Sequence, residues 1–462
     1  MKLLFCASEA YPFAKSGGLA DVAHALPKAL AAYCDVTLML PFYRFMDLGD
    51  LQPETIAQIR LSFGGATYTV RYLQAHDTGV RVLFVASPLL SERDHLYGPP
   101  GEAYADNDLR FALFSHAIAR FLQMEAFDIL HLNDWHTALA ALFVKERKAS
   151  CRVVFTIHNL AFQGVFDRVR LALLGIDPRH FHPEALEFYG KINFLKAGIA
   201  FCDLLTTVSP TYAEEIRTPE FGCGLEGFLH RHAAKLVGIL NGIDTELFDP
   251  RRDPALACTM KRKIATFKRC NKKALRGVRE DLPLFIFIGR LTEQKGVDLL
   301  IALTESLSRM PLQFAFLGEG DAQTQQWLDL AARRSDNILH FSGYDEALAH
   351  RLYAAADFLV MPSRFEPCGL NQMIAMRYGT IPIVHAIGGL KDTVHREGWR
   401  CGLGLPYDRQ SEAVLLEMLR QALTLYHERD ETERINRFNM ACDFSFDASA
   451  RKYLACYQHC GD

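Results

Sequence analysis

Short apolar runs alternate with longer segments of helical period along the whole chain. The apolar runs of the first half lie at residues 2–8, 80–87, 127–134, 152–159 and 203–209, and a second series lies at 284–290, 312–318, 337–343, 357–363 and 381–386. Each run is apolar on both faces, as the strands of a parallel sheet covered by helices must be. Segments 107–125 and 137–148 carry the helical period. The alternation predicts an α/β protein with open parallel sheets.

The two series are separated by a stretch that is rich in Asp, Pro and Arg and has no strand character (241–257). Such a composition is typical of a linker. The pattern therefore predicts two doubly wound, Rossmann-like domains. Because open α/β sheets bind ligands beyond the carboxyl ends of their strands, we expect the two domains to face a deep cleft that holds the site. The predicted division is a first domain over 1–241, a linker over 242–256, a second domain over 257–445 and a C-terminal helix over 446–462. In that helix Tyr453, Leu454 and Tyr457 share one side.

Composition narrows the function classes. The chain has 462 residues, 23% of them charged, and a formal net charge of −3, so it lacks the basic character of most nucleic-acid binders. The basic run 261–279 is interpreted as a solvated helical face. No run approaches 18 apolar residues, and the N-terminal apolar run is too short for a signal peptide. We expect no membrane or nucleic-acid partner and a cytoplasmic location.

The 12 cysteines are scattered without a C-x-x-C pair, and we interpret them as unpaired thiols of a reducing compartment. Cys456 and Cys460 flank His459, but no second ligand pair accompanies them. Neither a metal site nor a cofactor is expected.

The segment "KSGGLADV" follows the first predicted strand and leads into a helix near Leu19. Glycines there allow backbone N–H groups to approach an anion, and Lys15 adds a full charge. A phosphate or sugar pocket and a tight turn that needs positive φ at Gly17 and Gly18 are both compatible with this spacing.

Polar clusters end two further strands of the first half. "HLNDWHTAL" places Asp134 and Trp135 beside an amide and a histidine, and "TIHNLAFQG" places His158 and Asn159 in the same position. An aromatic ring beside carboxylate and amide groups is typical of sugar-binding sites. The alternative is that the histidines are satisfied structural residues.

Strand ends of the second half carry charge. Arg290 and Lys295 lie on one predicted strand-to-helix turn, where two cations suit a diphosphate, unless both are simply solvated. Glu366 precedes Pro367, which restricts its backbone to an extended shape. Gly369 and the Gly388–Gly389 pair supply turns whose amides can receive phosphate oxygens.

Together these segments resemble the glycogen synthase family of bacteria, whose members extend α-1,4-glucan from a nucleotide-glucose donor with retention of configuration. The resemblance covers essentially the whole chain, in the family's order. It rests on "KSGGLADV", "YADNDLRFALFS", "HLNDWHTAL", "TIHNLAFQG", "LNGIDTELFDP", "GRLTEQKG" and "PSRFEPCGLNQM". It implies the two-domain GT-B glycosyltransferase fold, ADP-glucose and glycogen as substrates, and no metal or cofactor.

The resemblance also implies roles for individual residues. The implied catalytic residues are Glu366, His158, Arg290 and Lys295. The implied donor-binding residues are Lys15, Gly17, Gly18, Asp21, Asn241, Tyr344, Cys368, Gly369 and Leu370. The implied sugar- or acceptor-binding residues are Glu9, Asp134, Trp135 and Asn159.

The chain departs from related retaining transferases at two positions. Ile374 stands where many have a second glutamate, and Asn371 stands where a small hydroxyl is common. A mechanism with two glutamates is therefore not expected from this motif. Same-face displacement, in which the diphosphate leaves and the acceptor hydroxyl enters on one face, needs no nucleophile.

Other functions remain compatible with parts of the pattern. They are a nucleotide-sugar transferase with a smaller acceptor, a non-hydrolysing sugar epimerase, and a catalytically weak glucan-binding protein. Glycogen phosphorylase is disfavoured by length. A glycosidase would need two facing carboxylates; Glu9 and Asp134 could be arranged so, but nothing in their spacing demands it.

Overall fold

The computed structural model describes residues 1–77, 79–99, 101–343, 345–394 and 404–459. It divides into two compact units. Unit 1 comprises Met1–Gly242 and the C-terminal segment that begins at Phe446, and unit 2 comprises Ile243–Ser445. Residues 243–256, expected from the sequence as a linker, thus belong to unit 2.

Unit 1 contains a large mixed sheet and a small separate sheet. Its strands are β1 (Lys2–Cys6), β2 (Asp35–Pro41), β3 (Glu54–Phe63), β4 (Ala66–Asp77), β5 (Val80–Ala86), β6 (Ile129–Asn133), β7 (Arg152–Ile157), β8 (Val165–Asp167), β9 (Glu187–Phe188), β10 (Lys191–Asn193), β11 (Leu204–Thr207) and β12 (Leu236–Gly238). Its helices are α1 (Gly18–Leu30), α2 (Pro88–Ser91), α3 (Asn107–Phe121), α4 (Trp135–Glu146), α5 (Phe194–Phe201), α6 (Pro210–Glu215), α7 (Glu226–Arg231) and, at the chain's end, α17 (Phe446–His459), with 3₁₀ turns at Arg168–Arg170, Pro178–His180 and Ala233–Lys235.

The nine strands of the main sheet follow the order β12-β11-β7-β6-β1-β2-β5-β4-β3. Strands β12 to β5 pair in parallel, whereas β4 pairs antiparallel with both β5 and β3. This edge hairpin was not predicted from the sequence. Most of β3 is exposed or half-buried on both faces, so it lacks the apolar run that marks central strands such as β1. The three short strands β8, β10 and β9 form a separate small sheet.

The C-terminal helix α17 is part of the unit 1 core. Tyr453 and Tyr457 are fully buried there beside residues of α1, as the predicted apolar side of this helix requires. The Tyr457 hydroxyl lies 2.7 Å from Nδ1 of His131 in β6. The last helix is thereby bound to the central strands of the first unit.

Unit 2 is a second doubly wound unit. Its strands are β13 (Leu284–Ile288), β14 (Gln313–Gly318), β15 (Ile338–Ser342), β16 (Phe358–Met361), β17 (Ile381–His385) and β18 (Leu405–Tyr407). Its helices are α8 (Ile264–Ala274), α9 (Val297–Ala302), α10 (Thr304–Ser308), α11 (Ala322–Arg334), α12 (Glu346–Ala355), α13 (Asn371–Arg377), α14 (Gly388–Val394), α15 (Glu412–His427) and α16 (Arg429–Ala441), with a 3₁₀ turn at Glu293–Lys295. The sheet is all-parallel in the order β15-β14-β13-β16-β17-β18.

The interpretation of the basic run 261–279 as a solvated face is wrong for two of its lysines. Lys268 is buried in α8 and its Nζ donates to the carbonyl of Ala356 at 2.5 Å. Lys272 forms an ion pair of 2.6 Å with Asp357. These two lysines lie on the face of α8 that packs on the unit 2 core. A run of charged residues does not by itself show which of them are buried.

The interpretation of the cysteines as unpaired is wrong for one pair. Cys258 and Cys270 form a disulfide with a Cα–Cα distance of 6.1 Å, whereas eight other cysteines of the described residues are free thiols. The contact arises because α8 brings Cys270 back onto the preceding segment, a tertiary event that cysteine spacing does not encode.

No helix in the described part of the chain is both long and apolar enough to cross a membrane.

Candidate active site

The backbone conformation of the turn after β1 does not itself require glycine at positions 17 and 18. Gly17 has an extended backbone (φ −165°, ψ −164°), and neither Gly17 nor Gly18 has positive φ, so the tight-turn alternative is wrong. A Cβ atom added at either glycine would meet no described atom within 4 Å. The glycines therefore leave exposed backbone open to close approach by another molecule.

The cation of this turn is already oriented. Lys15 Nζ lies 2.7 Å from Oδ1 of Asp21 in the first turn of α1 and 5.7 Å from the centre of the Tyr11 ring. Both charged side chains are about one-third exposed. An exposed pair of this kind adds little stability, but it keeps the ammonium group beside the glycines.

Glu9 is buried three residues beyond the end of β1, with 3% of its surface exposed. Its Oε2 accepts a hydrogen bond of 2.5 Å from the backbone N–H of Ser16, immediately before the glycines. Burial raises the pKa of Glu9 to about 7, and the nearby carboxylates of Asp134 and Asp21 add to the rise, whereas hydrogen bonds from Ser16 oppose it.

Asp134 follows β6, which neighbours β1 in the sheet. It has a positive φ of 54°, a costly conformation for a residue other than glycine and one that is often found at functional sites. Its Oδ1 accepts from the backbone N–H of His158 at 2.7 Å. Burial raises the pKa of Asp134 to about 7 despite amide hydrogen bonds from His158 and Asn159.

His158 follows β7, the next strand, and its tautomer can be deduced from its contacts. Asn133 donates from Nδ2 to the carbonyl of Cys6 at 2.9 Å, and a carbonyl oxygen can only accept. The other amide atom, Oδ1, faces Nε2 of His158 at 2.8 Å, so Nε2 carries the proton and Nδ1 is the acceptor. Burial lowers the pKa of His158 to about 3, so the ring is neutral near pH 7. Asn133 is a residue whose importance sequence reasoning missed.

Trp135 is less available than an exposed sugar platform would be. It is 9% exposed, and its ring lies 4.1 Å from His136, while any side chain at Gly164 would collide with it. Trp135 nevertheless lines a pocket of about 550 Å³ within unit 1. The other aromatic residues that line this pocket are Tyr104, Phe162, Phe166 and Phe188.

The two asparagines expected at the site differ in their contacts. Asn159 Oδ1 accepts from the Ala161 N–H at 3.0 Å and so shapes its own turn. Asn241 follows the edge strand β12 and is buried, and its Oδ1 has no hydrogen-bond partner among the described residues. Such an orphaned acceptor can receive a hydrogen bond from a ligand.

In unit 2, Lys295 and Glu366 form an ion pair that the sequence did not reveal. Nζ of Lys295 lies 2.5 Å from Oε2 of Glu366, and the Ser363 hydroxyl donates to the same oxygen at 3.1 Å. Glu366 is 6% exposed. Arg290 follows β13, is exposed, and makes no ion pair within the described part of unit 2. β13 and β16 are neighbouring parallel strands, so the groups that follow them lie at the same carboxyl-terminal end of the sheet.

The Arg290–Lys295 turn is tied to the segment after β16. Arg364 makes two hydrogen bonds of 2.7 Å to Asp298 and one of 2.6 Å to the Glu293 carbonyl. Gly296 has φ +71°, and an added Cβ would lie 2.0 Å from the Pro362 carbonyl oxygen. These contacts hold the two turns at a fixed separation, and the ion pair with Glu366 also fixes the Lys295 ammonium group.

The glycine-bearing turns of unit 2 are closely packed. Cys368 is buried, Gly369 has φ +70°, and Leu370 precedes α13. A Cβ at Gly389 would lie 2.2 Å from the Cys368 carbonyl oxygen, so these glycines serve the fold as well as any ligand. Asn371 donates to the Ile288 carbonyl at 2.7 Å. Tyr344 lies outside the described residues.

Among the described residues, no group of three or more His, Cys, Asp or Glu side chains is arranged to hold a metal ion.

Two family models match the chain. A starch synthase catalytic domain model matches residues 2–231, and a model of glycosyl transferases group 1 matches residues 269–437. Among curated relatives, a glycogen synthase of Aquifex aeolicus is 42% identical over 99% of this chain and 99% of its own. A glycogen synthase of Aromatoleum aromaticum is 42% identical over 99% of this chain and 96% of its own.

Solved structures agree with these matches. The catalytic domain of starch synthase IV from Arabidopsis thaliana, bound to ADP and acarbose, superimposes with a TM-score of 0.90 at 32% identity and covers 99% of both chains. Sucrose-phosphate synthase from Thermosynechococcus elongatus superimposes with a TM-score of 0.65 at 18% identity over 99% of this chain and 98% of its own, a likeness of fold alone.

Proposed function

This chain belongs to the glycogen synthase family of GT-B glycosyltransferases, and we propose that it transfers glucose from ADP-glucose to the non-reducing end of an α-1,4-glucan with retention of configuration. The observation that carries this proposal is the clustering of motif residues at one edge of each sheet. Glu9, Asp134 and His158 follow three neighbouring strands of unit 1. Arg290 and the Lys295–Glu366 pair follow two neighbouring strands of unit 2.

We assign the leaving diphosphate to Arg290 and Lys295. Arginine can bind two phosphate oxygens at once, and lysine supplies a point charge. Glu366 holds the Lys295 ammonium group at 2.5 Å and is itself held by Ser363. Because charge on the diphosphate grows as the sugar–phosphate bond breaks, cations held in place before reaction lower the barrier.

We assign the transferred glucose to Asp134 and His158. The neutral His158 ring offers Nδ1 as an acceptor for a sugar hydroxyl, because Nε2 is used by Asn133. Asp134 places a carboxylate at the same edge, where it can stabilise positive charge on an oxocarbenium-like sugar. Same-face displacement then proceeds without a protein nucleophile, and the departing phosphate oxygen takes the acceptor's proton.

We assign the glucan acceptor to unit 1 and the nucleotide to unit 2. The aromatic-lined pocket beside Trp135 suits the apolar faces of sugar rings. The turn at Lys15, Gly17 and Gly18 is assigned to the anionic part of the donor, since its backbone is open to close approach. We also place the enzyme in the cytoplasm, as its multiply charged donor does not cross an apolar layer unaided.

The test is to supply ADP-glucose or UDP-glucose with glycogen and to measure nucleotide release together with chain extension. We expect ADP release that depends on glycogen, with longer chains as the product. Release of nucleotide with transfer of glucose to a small sugar instead of glycogen would favour a transferase with a smaller acceptor. Glycogen binding without turnover on either donor would favour a glucan-binding protein.

A further inference from the structure

Glu9 makes contacts that do not match the sugar-binding role expected from the sequence. Its carboxylate points to the backbone of the chain, where Oε2 accepts from the Ser16 N–H at 2.5 Å. Ser16 is the residue directly before Gly17 and Gly18, where an added Cβ would meet open space. A carboxylate that accepts an amide hydrogen bond makes one of the stronger bonds available to a loop.

The glycine turn has two other described restraints, the Lys15–Asp21 ion pair and a hydrogen bond of 3.2 Å from the Ala20 N–H to the Gly17 carbonyl. Glycine has the widest conformational freedom of any residue, so an unrestrained Gly-Gly pair loses much entropy when it is ordered around a ligand. Helix α1 begins at Gly18 without a side-chain cap at Gly17. The bond from Ser16 to Glu9 is therefore the nearest described side-chain contact that fixes the backbone on the N-terminal side of the pair.

Glu9 is in turn held from behind. The neighbouring Ser8 lies between two tyrosines, with its hydroxyl 2.8 Å from the Tyr97 hydroxyl and its carbonyl accepting from Tyr43 at 2.9 Å. Tyr43 is fully buried. A continuous chain of contacts thus runs from the core of unit 1 through Ser8 and Glu9 to the glycine turn.

We propose that Glu9 is a positioning residue that fixes the Gly17–Gly18 backbone through Ser16 and so prepares the turn to receive the diphosphate of the donor. This inference rests on the assignment of that turn to the donor under the proposed function. Glu9 does not contact the transferred sugar in this account. It acts by lowering the ordering cost of backbone amides that would otherwise become fixed only on binding.

The first experiment needs no ligand. Hydrogen exchange of the peptide that contains Ser16 is compared at pH 8, above the pKa of about 7 that burial gives Glu9. The comparison is between the wild-type chain and Glu9→Gln, which keeps the shape of the side chain and removes its charge. We expect exchange in this peptide to become about tenfold faster in Glu9→Gln, since a bond to a charged acceptor is weakened. Glu54→Gln, an exposed carboxylate at the start of β3, is the matched control and should change nothing. Unchanged exchange in Glu9→Gln would overturn the proposal.

The second experiment separates positioning from sugar contact. ADP carries the diphosphate but no glucose, so its dissociation constant, measured by calorimetry, should rise about tenfold in Glu9→Gln, by the same factor as that of ADP-glucose. An unchanged ADP affinity with impaired turnover would show that Glu9 contacts the sugar instead. Tyr97→Phe, which removes the contact to Ser8, should give a smaller change in the same direction. If the wild-type chain bound no ADP, the proposed function would fail, while the exchange comparison would still decide whether Glu9 holds the turn.

Discussion

The candidate-site residues follow the carboxyl ends of strands in both units, but the buried carboxylates there have different partners in the two units. In unit 1, Glu9 and Asp134 accept hydrogen bonds from backbone amides, and burial raises the pKa of each to about 7. In unit 2, Glu366 is buried to a similar degree but lies 2.5 Å from the ammonium group of Lys295. The same fold therefore presents titratable carboxyls at one edge and a neutralised ion pair at the other. In unit 1, Asp134 suits contact with sugar hydroxyls. In unit 2, the exposed Arg290 adds a positive charge beside the ion pair, which suits a ligand of strong negative charge.

The largest effect is expected from breaking the ion pair of unit 2. Lys295→Met removes a cation from the proposed diphosphate site and leaves Glu366 buried without its partner. We expect kcat/KM to fall by about 10³-fold, since both a transition-state contact and the charge balance are lost. Steady-state kinetics with ADP-glucose provide the measurement, and Lys273→Met, which removes an exposed lysine of α8, is the control. Near-normal turnover in Lys295→Met would show that the diphosphate does not bind at this turn.

The other member of the pair should act mainly on the rate of reaction. Glu366→Gln keeps the shape of the side chain but removes the charge that holds Lys295. We expect kcat to fall by roughly 10²-fold while ADP binds with near-normal affinity, because the loss is felt as charge develops. Parallel measurement of kcat, donor KM and ADP affinity tests this expectation. A raised donor KM with kcat preserved would instead place Glu366 at the ribose.

The glycines of the two edges should respond differently to a methyl group. Gly296→Ala forces a side chain against the Pro362 carbonyl at φ +71°, and we expect it to cost about 2 kcal/mol of unfolding free energy. Gly17→Ala meets open space at an extended φ, so its stability should stay within about 1 kcal/mol of wild type. Its ADP affinity should nevertheless fall, because the methyl group fills the space left for the ligand. Urea unfolding and calorimetry check both expectations, and a Gly17→Ala chain with unaltered ADP affinity would contradict the second.

The smallest effect concerns pH and the stability of unit 1. In the folded chain Glu9 keeps its proton up to about pH 7, whereas in the unfolded chain it ionises near its ordinary pKa of 4.5. A raised pKa of this kind contributes stability that is present below pH 4.5 and is lost as pH rises to 7. Glu9→Gln cannot titrate, so above pH 7 it should be more stable than wild type by about 1–2 kcal/mol, with no such gain near pH 4.5. Unfolding curves at pH 5 and pH 8 measure the difference. A gain that is equal at both values would mean that ionisation of Glu9 is not its cause.

Glu9→Gln thus joins two expectations of opposite sign, greater stability and weaker ADP binding. Such a trade-off is common where a buried charge is kept for function. It distinguishes a positioning carboxylate from a residue that merely supports the fold, since loss of a purely structural residue would lower stability as well.

Much of the fold could be predicted because its signals are local. Apolar runs such as 284–290 and 152–159 mark strands β13 and β7, since a strand buried on both faces needs apolar residues at every position. The hairpin β3–β4 escaped prediction because β3 lies largely exposed at a sheet edge, where no apolar run is required. Polar residues after strands, such as Asp134 and Glu366, are predicted as site residues from their position, from the residues beside them and from the family motifs, since the strand ends of parallel sheets meet at one edge.

What the sequence by itself determined was therefore the class of fold, the positions of most buried strands, and the residue types available at each strand end. Only the tertiary structure decided how those residues pair: Lys295 with Glu366 across 71 positions, His158 with Asn133 across 25, and Glu9 with the backbone of Ser16. Most of the secondary structure follows from near neighbours in the chain. The partner of a charge depends instead on strand order and on turn geometry, which bring distant residues within 3 Å and set whether a carboxyl is neutralised by a cation or left to titrate near neutral pH.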